Sequence, residues 1–220
     1  MTPRPGGTER TLGRRLADRA VTDVPALHAV LDAGLVAHVG LVDDGQPFVL
    51  PMGYARVGEE LILHGSTGSR LMRALAAGAP ACVTVTLLDG MVLARSAFES
   101  SMNYRSAMVL GAARRLAGEE ELAALRALSD HLLPGRWDDI RPPSAKERAA
   151  TMTVAIPLSE CSVKIRTGGP DDDPADLVDP RYAGTWAGEV PLGSLFGTPL
   201  PEPASAATPV PGYVGRWGRS

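Results

Sequence analysis

Seven consecutive residues, His64-Gly65-Ser66-Thr67-Gly68-Ser69-Arg70, bring an imidazole, three hydroxyls, two glycines and a guanidinium into one short stretch. They follow the apolar run Leu61-Ile62-Leu63 and precede the helical-looking Leu71-Met72-Arg73-Ala74-Leu75. A turn of this composition between a strand and a helix can cradle an anion. Glycine lets backbone amides approach a ligand closely, and a helix start presents unpaired N–H groups with a partial positive charge. Ser66, Thr67 and Ser69 add hydroxyl donors, and Arg70 adds a planar fork that matches phosphate oxygens. The dipole contributes only ~0.3–1 kcal/mol at an exposed end, against ~1.5–3 kcal/mol for each charge-assisted hydrogen bond, so the side chains would dominate. The stretch is not a nucleotide-triphosphate loop, which requires a lysine and longer spacing. An ordinary N-capped helix with a solvent-facing arginine satisfies the same residues. His64, at the mouth of the turn, could bond a ligand, donate a proton, ligate a haem iron, or simply hold the loop.

The other reactive side chains carry less. His28 and His38 fall in apolar-periodic runs and read as satisfied, partly buried histidines, and His131 reads as solvated on a helix. Asp43 and Asp44 sit in a turn, where aspartate is favoured for backbone reasons. Ser66 and Ser96 lack the context of a hydrolase nucleophile. Cys82 and Cys161 show neither CxxC spacing nor a histidine cluster, which argues for buried reduced thiols, a cytoplasmic setting and no metal site. A net charge of -3 gives no general attraction to nucleic acid or membrane, and Arg10, Arg14, Arg15 and Arg19 have no aromatic neighbour on which a base could stack. No segment is apolar for long enough to span a bilayer, and the N-terminus lacks a signal peptide's apolar centre.

These residues need a scaffold, and the pattern predicts a mainly β one of α+β class. Asp23 caps a helix over 24–32 with Pro25 near its start and Gly34 just beyond its end. Strand-like runs follow at 35–42, 46–57 and 61–65, joined by hairpin turns at Asp43-Asp44-Gly45 and Gly58-Glu59-Glu60. The helix opened by Ser69 stops at Ala77-Gly78. Two strands joined at Asp89-Gly90 come next, then a long strand through Asn103-Tyr104-Arg105-Ser106 whose inward set is either Tyr104, Ser106, Met108 and Leu110 or its alternate. An amphipathic helix places Leu122, Leu125, Leu128 and Leu132 on one stripe, a capping box starts at Ser144, and the run 151–168 returns as strand. Short connections favour a six-stranded antiparallel split β-barrel with inserted helices over a parallel sheet. The divisions expected are a flexible arm (1–20), one domain (21–195) and a Pro/Ala-rich tail (196–220).

The succession FVLPMGYAR, LILHGSTGSRLMRAL, ACVTVTLLDGMVLARSAF and MNYRSAMVLGAAR resembles the pyridoxamine 5'-phosphate oxidase-like family of FMN-binding split barrels, in particular its nitroimidazole-resistance-type branch. The resemblance covers about residues 20 to 195. It implies a homodimer holding FMN in the groove between subunits, and an oxidoreductase acting on a small molecule. It places Leu50, Pro51, Met52 and Gly53 along the flavin ring, and His64, Gly65, Ser66, Thr67, Ser69 and Arg70 at the phosphate. Asn103, Tyr104, Arg105 and Ser106 would approach from the other subunit. His64 and then Tyr104 are the side chains it suggests for moving a proton. The strand through Pro51 carries no basic residue before Arg56, and the C-terminal region has no Arg-x-His, which argues against vitamin B6 oxidation. A flavin- or haem-binding carrier or sensor without turnover is the alternative.

Overall fold

In the computed structural model, which describes residues 2–216, a two-residue strand β1 (Ala20–Val21) leads into helix α1 (Val24–Ala33). The side chain of Asp23 accepts from the Ala26 amide, and the helix buries Leu27, Val30 and Leu31. The chain continues through β2 (Val36–Asp43), β3 (Gln46–Val57), β4 (Glu60–Ser66), α2 (Arg70–Ala76), β5 (Pro80–Leu93), β6 (Ser101–Ala112) and β7 (Arg114–Arg115). After α3 (Gly118–Leu132) and α4 (Ala145–Ala150) come β8 (Thr151–Pro157), β9 (Cys161–Arg166), α5 (Pro174–Val178), β10 (Gly188–Pro191) and α6 (Gly212–Gly215).

Every pairing is antiparallel, in the order β1-β9-β6-β5-β2-β3-β4-β8-β7, with β10 added beside β5. Strand β3 makes the split: Gln46 to Gly53 pairs with β2, and Tyr54 to Val57 pairs with β4. Inward residues such as Val39, Tyr54, Leu63, Val83 and Val163 join Leu27 and Leu31 of α1 and Leu75 of α2 in the main core. On the opposite face α3 packs Ala124 and Leu128 over Ala55, Ile62 and Ala155. The expected split-barrel architecture is therefore present, and the expected hairpins at Asp43–Gln46 and Val57–Glu60 form, with Asp44, Gly45 and Gly58 at positive φ.

Two strand readings change. Asp89-Gly90 is no hairpin: β5 runs on to Leu93, and this dipeptide is a bulge where the β5–β6 register shifts. Gly90 is needed there because β10 crosses it; a Cβ would lie 3.1 Å from the Val190 carbonyl oxygen. The run 151–168 is two strands. Pro157 ends β8 beside β4, the Leu158 amide donates to the Glu59 carbonyl, and β9 pairs with β6. The inward set of β6 is the alternate one, with Asn103, Ala107 and Val109 buried.

The arm expected to be flexible is tied to the start of β9. The Gly6 amide donates to the Cys161 carbonyl, Arg10 grips the Glu160 carboxylate, and Thr11 is buried. In the tail, the Tyr213 hydroxyl donates to Asp139 at 2.6 Å; residues 217–220 lie outside the described part of the chain.

Candidate functional site

The turn after β4 folds on itself before it offers anything to a ligand. The Ser66 hydroxyl accepts from the Gly68 amide at 3.1 Å, and the Ser69 hydroxyl accepts from the Met72 amide as the N-cap of α2. Thr67 gives its amide and its hydroxyl to the Ala150 carbonyl, pinning the turn to the end of α4. Gly65 is there for packing, since a Cβ would stand 2.7 Å from Met72 Cγ. The amides of Arg70 and Leu71 occupy the first helical positions and have no acceptor within the helix. Arg70 lies over the Phe48 ring at 4.7 Å and its Nε is 3.4 Å from Asp43. The cradle thus offers two free amides, a guanidinium and the O–H donors of Ser66 and Ser69, whose oxygens shape the turn by accepting, while the Thr67 hydroxyl is spent on Ala150. Asp43 and Phe48, which sequence reasoning passed over, are the groups that hold Arg70; the hairpin joining β2 to β3 is what brings them there.

Beside the turn runs the exposed stretch of β3. Leu50 and Pro51 are exposed, Met52 and Gly53 half-buried. Met52 reaches the cradle: its Cε lies 3.9 Å from the position of a Gly65 Cβ. Gly53 faces the other way, toward Leu132 at the end of α3, so the strand presents backbone there and no side chain. His64 stands one step past the last β3–β4 couple, Tyr54 with Leu63, and so comes abreast of Gly53. Across β8 it pairs with Thr153. His64 is exposed at its strand position, its imidazole has no hydrogen bond among the described residues, and partial desolvation against the sheet lowers its pKa from the usual histidine value, which favours the neutral ring. Thr153 is fully buried, and its hydroxyl has no partner either. A buried orphan hydroxyl is costly, and this one lies in register with His64.

The other histidines are committed or differently placed. His28 bonds Glu59 at 3.1 Å. His131, expected to be solvated, bonds the Gly34 carbonyl at 2.8 Å and packs on the Tyr54 ring. His38, expected to be partly buried and satisfied, is exposed on β2, between Pro51 and Thr84, and bonds no described residue.

The four candidates on β6 separate. Asn103 and Arg105 belong to a structural network: Asn103 donates to Glu189 and the Gly168 carbonyl and accepts from Arg166, while Arg105 forks onto Asp89. This network fastens the C-terminal segment and β10 to the sheet. Tyr104 and Ser106 point to the outer face. Within one chain Tyr104 and His64 lie on strands separated by β5, β2 and β3, so they do not meet. Trp186, at the end of the acidic segment, stacks over Gly188 and is 65% exposed.

No helix among the described residues is long and apolar enough to cross a membrane. No group of three or more His, Cys, Asp and Glu side chains there could hold a metal ion.

Comparison with known proteins places this geometry. The FAD and heme binding protein from Mycobacterium smegmatis is 45% identical, covers 89% of this chain and 95% of its own length, and superposes with a TM-score of 0.84. The flavocytochrome Anf3 from Azotobacter vinelandii is 39% identical over 96% of this chain and 97% of its own, with a TM-score of 0.87. A 5-nitroimidazole antibiotic resistance protein assignment attaches to a Bacteroides thetaiotaomicron structure that is 22% identical, covers 66% of this chain and 86% of its own, and shares the fold at a TM-score of 0.56. No match is found among curated protein sequences. The family model for pyridoxamine 5'-phosphate oxidase matches residues 23–165, and the chain belongs to that family.

Proposed function

We propose that this chain is a flavin-binding redox protein that works as a homodimer and acts as an oxidoreductase on a small molecule. The observation that carries the reading is the cradle at 65–70, with two helix-start amides and Arg70 facing a strand that offers backbone at Gly53. The phosphate it would take is the one next to the ribityl chain. FMN, implied by the family resemblance, and FAD, named for the Mycobacterium smegmatis relative, share that phosphate. A bound flavin would supply the hydride or electron chemistry. The chain's own residues bind and orient: Arg70 and the amides of Arg70 and Leu71 fix the phosphate, Leu50 to Gly53 line the ring, and α3 shields one side through Leu132. Tyr104 would reach a flavin held by the partner copy.

Support for the dimer comes from exposed apolar residues on β2 and β3. Val36, Val42 and Val49, on one face of the sheet, are 47%, 60% and 59% exposed, and an apolar strip of this kind marks an interface. A cavity of about 600 Å³ opens beside them, lined by Val42, Phe48, Val49, Cys82 and Leu110 among others. Both cysteines are free, and burial pushes the Cys161 thiol up to about 11, as suits inert thiols of a cytoplasmic protein.

A second ligand is favoured by His64. An imidazole without a partner among the described residues, beside a side-chain-free backbone and an orphan hydroxyl, would suit the binding of a haem iron, with Thr153 free to orient the ring. Two relatives above 35% identity are described as a heme binding protein and a flavocytochrome. In that case His64 serves haem and moves no proton for the flavin. The test is the absorption spectrum of freshly purified protein, followed by extraction and mass analysis of its cofactors. Twin flavin bands are expected, with a Soret band lost in His64→Ala if the haem assignment holds. A colourless protein that stays colourless with added FMN, FAD and haemin refutes the reading.

A further inference from the structure

The outer face of the sheet divides into two halves of different chemistry. On β2 and β3 it carries Val36, Val42 and Val49 with His38 among them, whereas the middle of β5, β6 and β9 carries Thr84, Thr86, Ser106, Ser162 and Lys164. The register sets Thr86, Ser106 and Lys164 in one row across three strands, and Thr84, Met108 and Ser162 in the row beside it. The N-terminal arm passes along this half, and Arg10 to Arg14 close it into a cleft of about 420 Å³. The arm is held there by bonds that consume its own charges: Arg10 pairs with Glu160, and Arg14 with Glu9.

What remains is an excess of donors. Lys164 is half-buried and forms no ion pair among the described residues. The hydroxyls of Thr84, Thr86 and Ser162 make no hydrogen bond there, and that of Ser106 makes only a long one, 3.5 Å, to the Lys164 carbonyl. Glu9 and Glu160, on and beside the arm, are taken up by Arg14 and Arg10. A half-desolvated ammonium with no counter-charge, in line with idle hydroxyls, is stabilised by an anion with several acceptor oxygens. Neighbouring strands lie ~4.8 Å apart, so the Thr86–Ser106–Lys164 row spans ~10 Å, too long for one carboxylate and suited to a chain of phosphates.

We infer that this cleft is a second anion site, for a ligand carrying a diphosphate. It is separate from the cradle at 65–70, being on β5, β6 and β9 whereas the cradle follows β4. It stands whether or not that cradle holds a flavin.

The test is isothermal titration of the full-length protein, with the cofactors it carries on purification, against inorganic pyrophosphate. Binding is expected, weakening as salt is raised. Lys164→Ala should weaken it about tenfold or more, and Lys164→Arg should stay within about threefold of native. The inference is overturned if native protein does not bind pyrophosphate, or if Lys164→Ala binds it equally well, which would assign the anion elsewhere, the cradle at 65–70 included. A measurement without variants gives the same decision: pyrophosphate should slow acetylation of Lys164 on native protein, read by mass spectrometry, and unchanged labelling overturns the inference.

Discussion

Arg70 is held in waiting by two weak contacts, and this makes the phosphate cradle testable from both directions. Its guanidinium sits 4.7 Å above the Phe48 ring, and its Nε is 3.4 Å from Asp43, with the two charged side chains 68% and 38% exposed. An exposed pair of this kind is worth about 0–1 kcal/mol, and the ring contact about 0.5–1 kcal/mol. A charge-assisted bond to phosphate contributes about 1.5–3 kcal/mol. Transfer of the guanidinium from Asp43 to a flavin phosphate is therefore favourable, and Asp43 is a mild competitor. Arg70→Ala should raise the Kd for FMN by a factor of about 10 to 150. Asp43→Asn should lower it, by at most about fivefold. Stability should change little in both, because the lost pair is exposed. Quenching of FMN fluorescence by apoprotein measures both constants, with thermal melting as the check on folding. Equal affinity in native and Arg70→Ala protein would refute the cradle. Loosening in Asp43→Asn as large as that in Arg70→Ala would refute the competition.

Other residues give sharper structural tests. At Gly34, where α1 passes under β5, a Cβ would lie 2.4 Å from Val85 Cγ1 and 2.6 Å from the Tyr54 hydroxyl; Gly34→Ala should destabilise by about 1–3 kcal/mol, measured by urea unfolding. Because burial lowers the His64 pKa from its ordinary 6.5, the unfolded chain takes up that proton more readily than the folded one. Stability of the apoprotein should thus fall as pH drops below about 6.5, and His64→Asn should flatten that part of the melting-temperature profile. Thr153→Val removes a buried hydroxyl without a partner, so the apoprotein should be equally or more stable, by up to about 1–3 kcal/mol. If Thr153 orients His64 toward a ligand, the same variant shifts the spectrum of the loaded protein.

Local signals carried most of the fold. Asp23, Ser69 and Ser144 each cap the helix expected of them, because capping is a contact within three residues. The turns through Asp44-Gly45 and Gly58 were equally legible, since positive φ restricts the residue types. Asp89-Gly90 misled because a bulge and a hairpin ask for the same residues, and only the strand lying across Gly90 decides between them. The division of 151–168 into β8 and β9 depends on which distant strands take each half, which no local pattern records.

The candidate site was legible by residue type and much less by role. Ser66, Thr67 and Ser69 do lie at the turn, and each has a second role there: the Ser66 and Ser69 oxygens accept from the Gly68 and Met72 amides while keeping their O–H donors, and the Thr67 hydroxyl docks on Ala150. Asn103 and Arg105 alternate with Tyr104 and Ser106, and alternation alone sends one pair to the C-terminal anchor and the other to the outer face. Thr153 carries no sequence signal, being one threonine in a strand of seven residues. It matters because pairing sets it against His64, on the face that α3 covers. The same logic links the sheet's two halves. Strand β3 is exposed along its first half because β4 leaves it at Tyr54, and that departure opens backbone at Gly53, releases His64 from the core and bares the apolar strip through Val49. One change of strand partner thus creates the proposed ring shelf, the exposed imidazole and the strip proposed to meet a second copy, so a substitution that restored β3–β4 pairing beyond Tyr54 would remove all three at once.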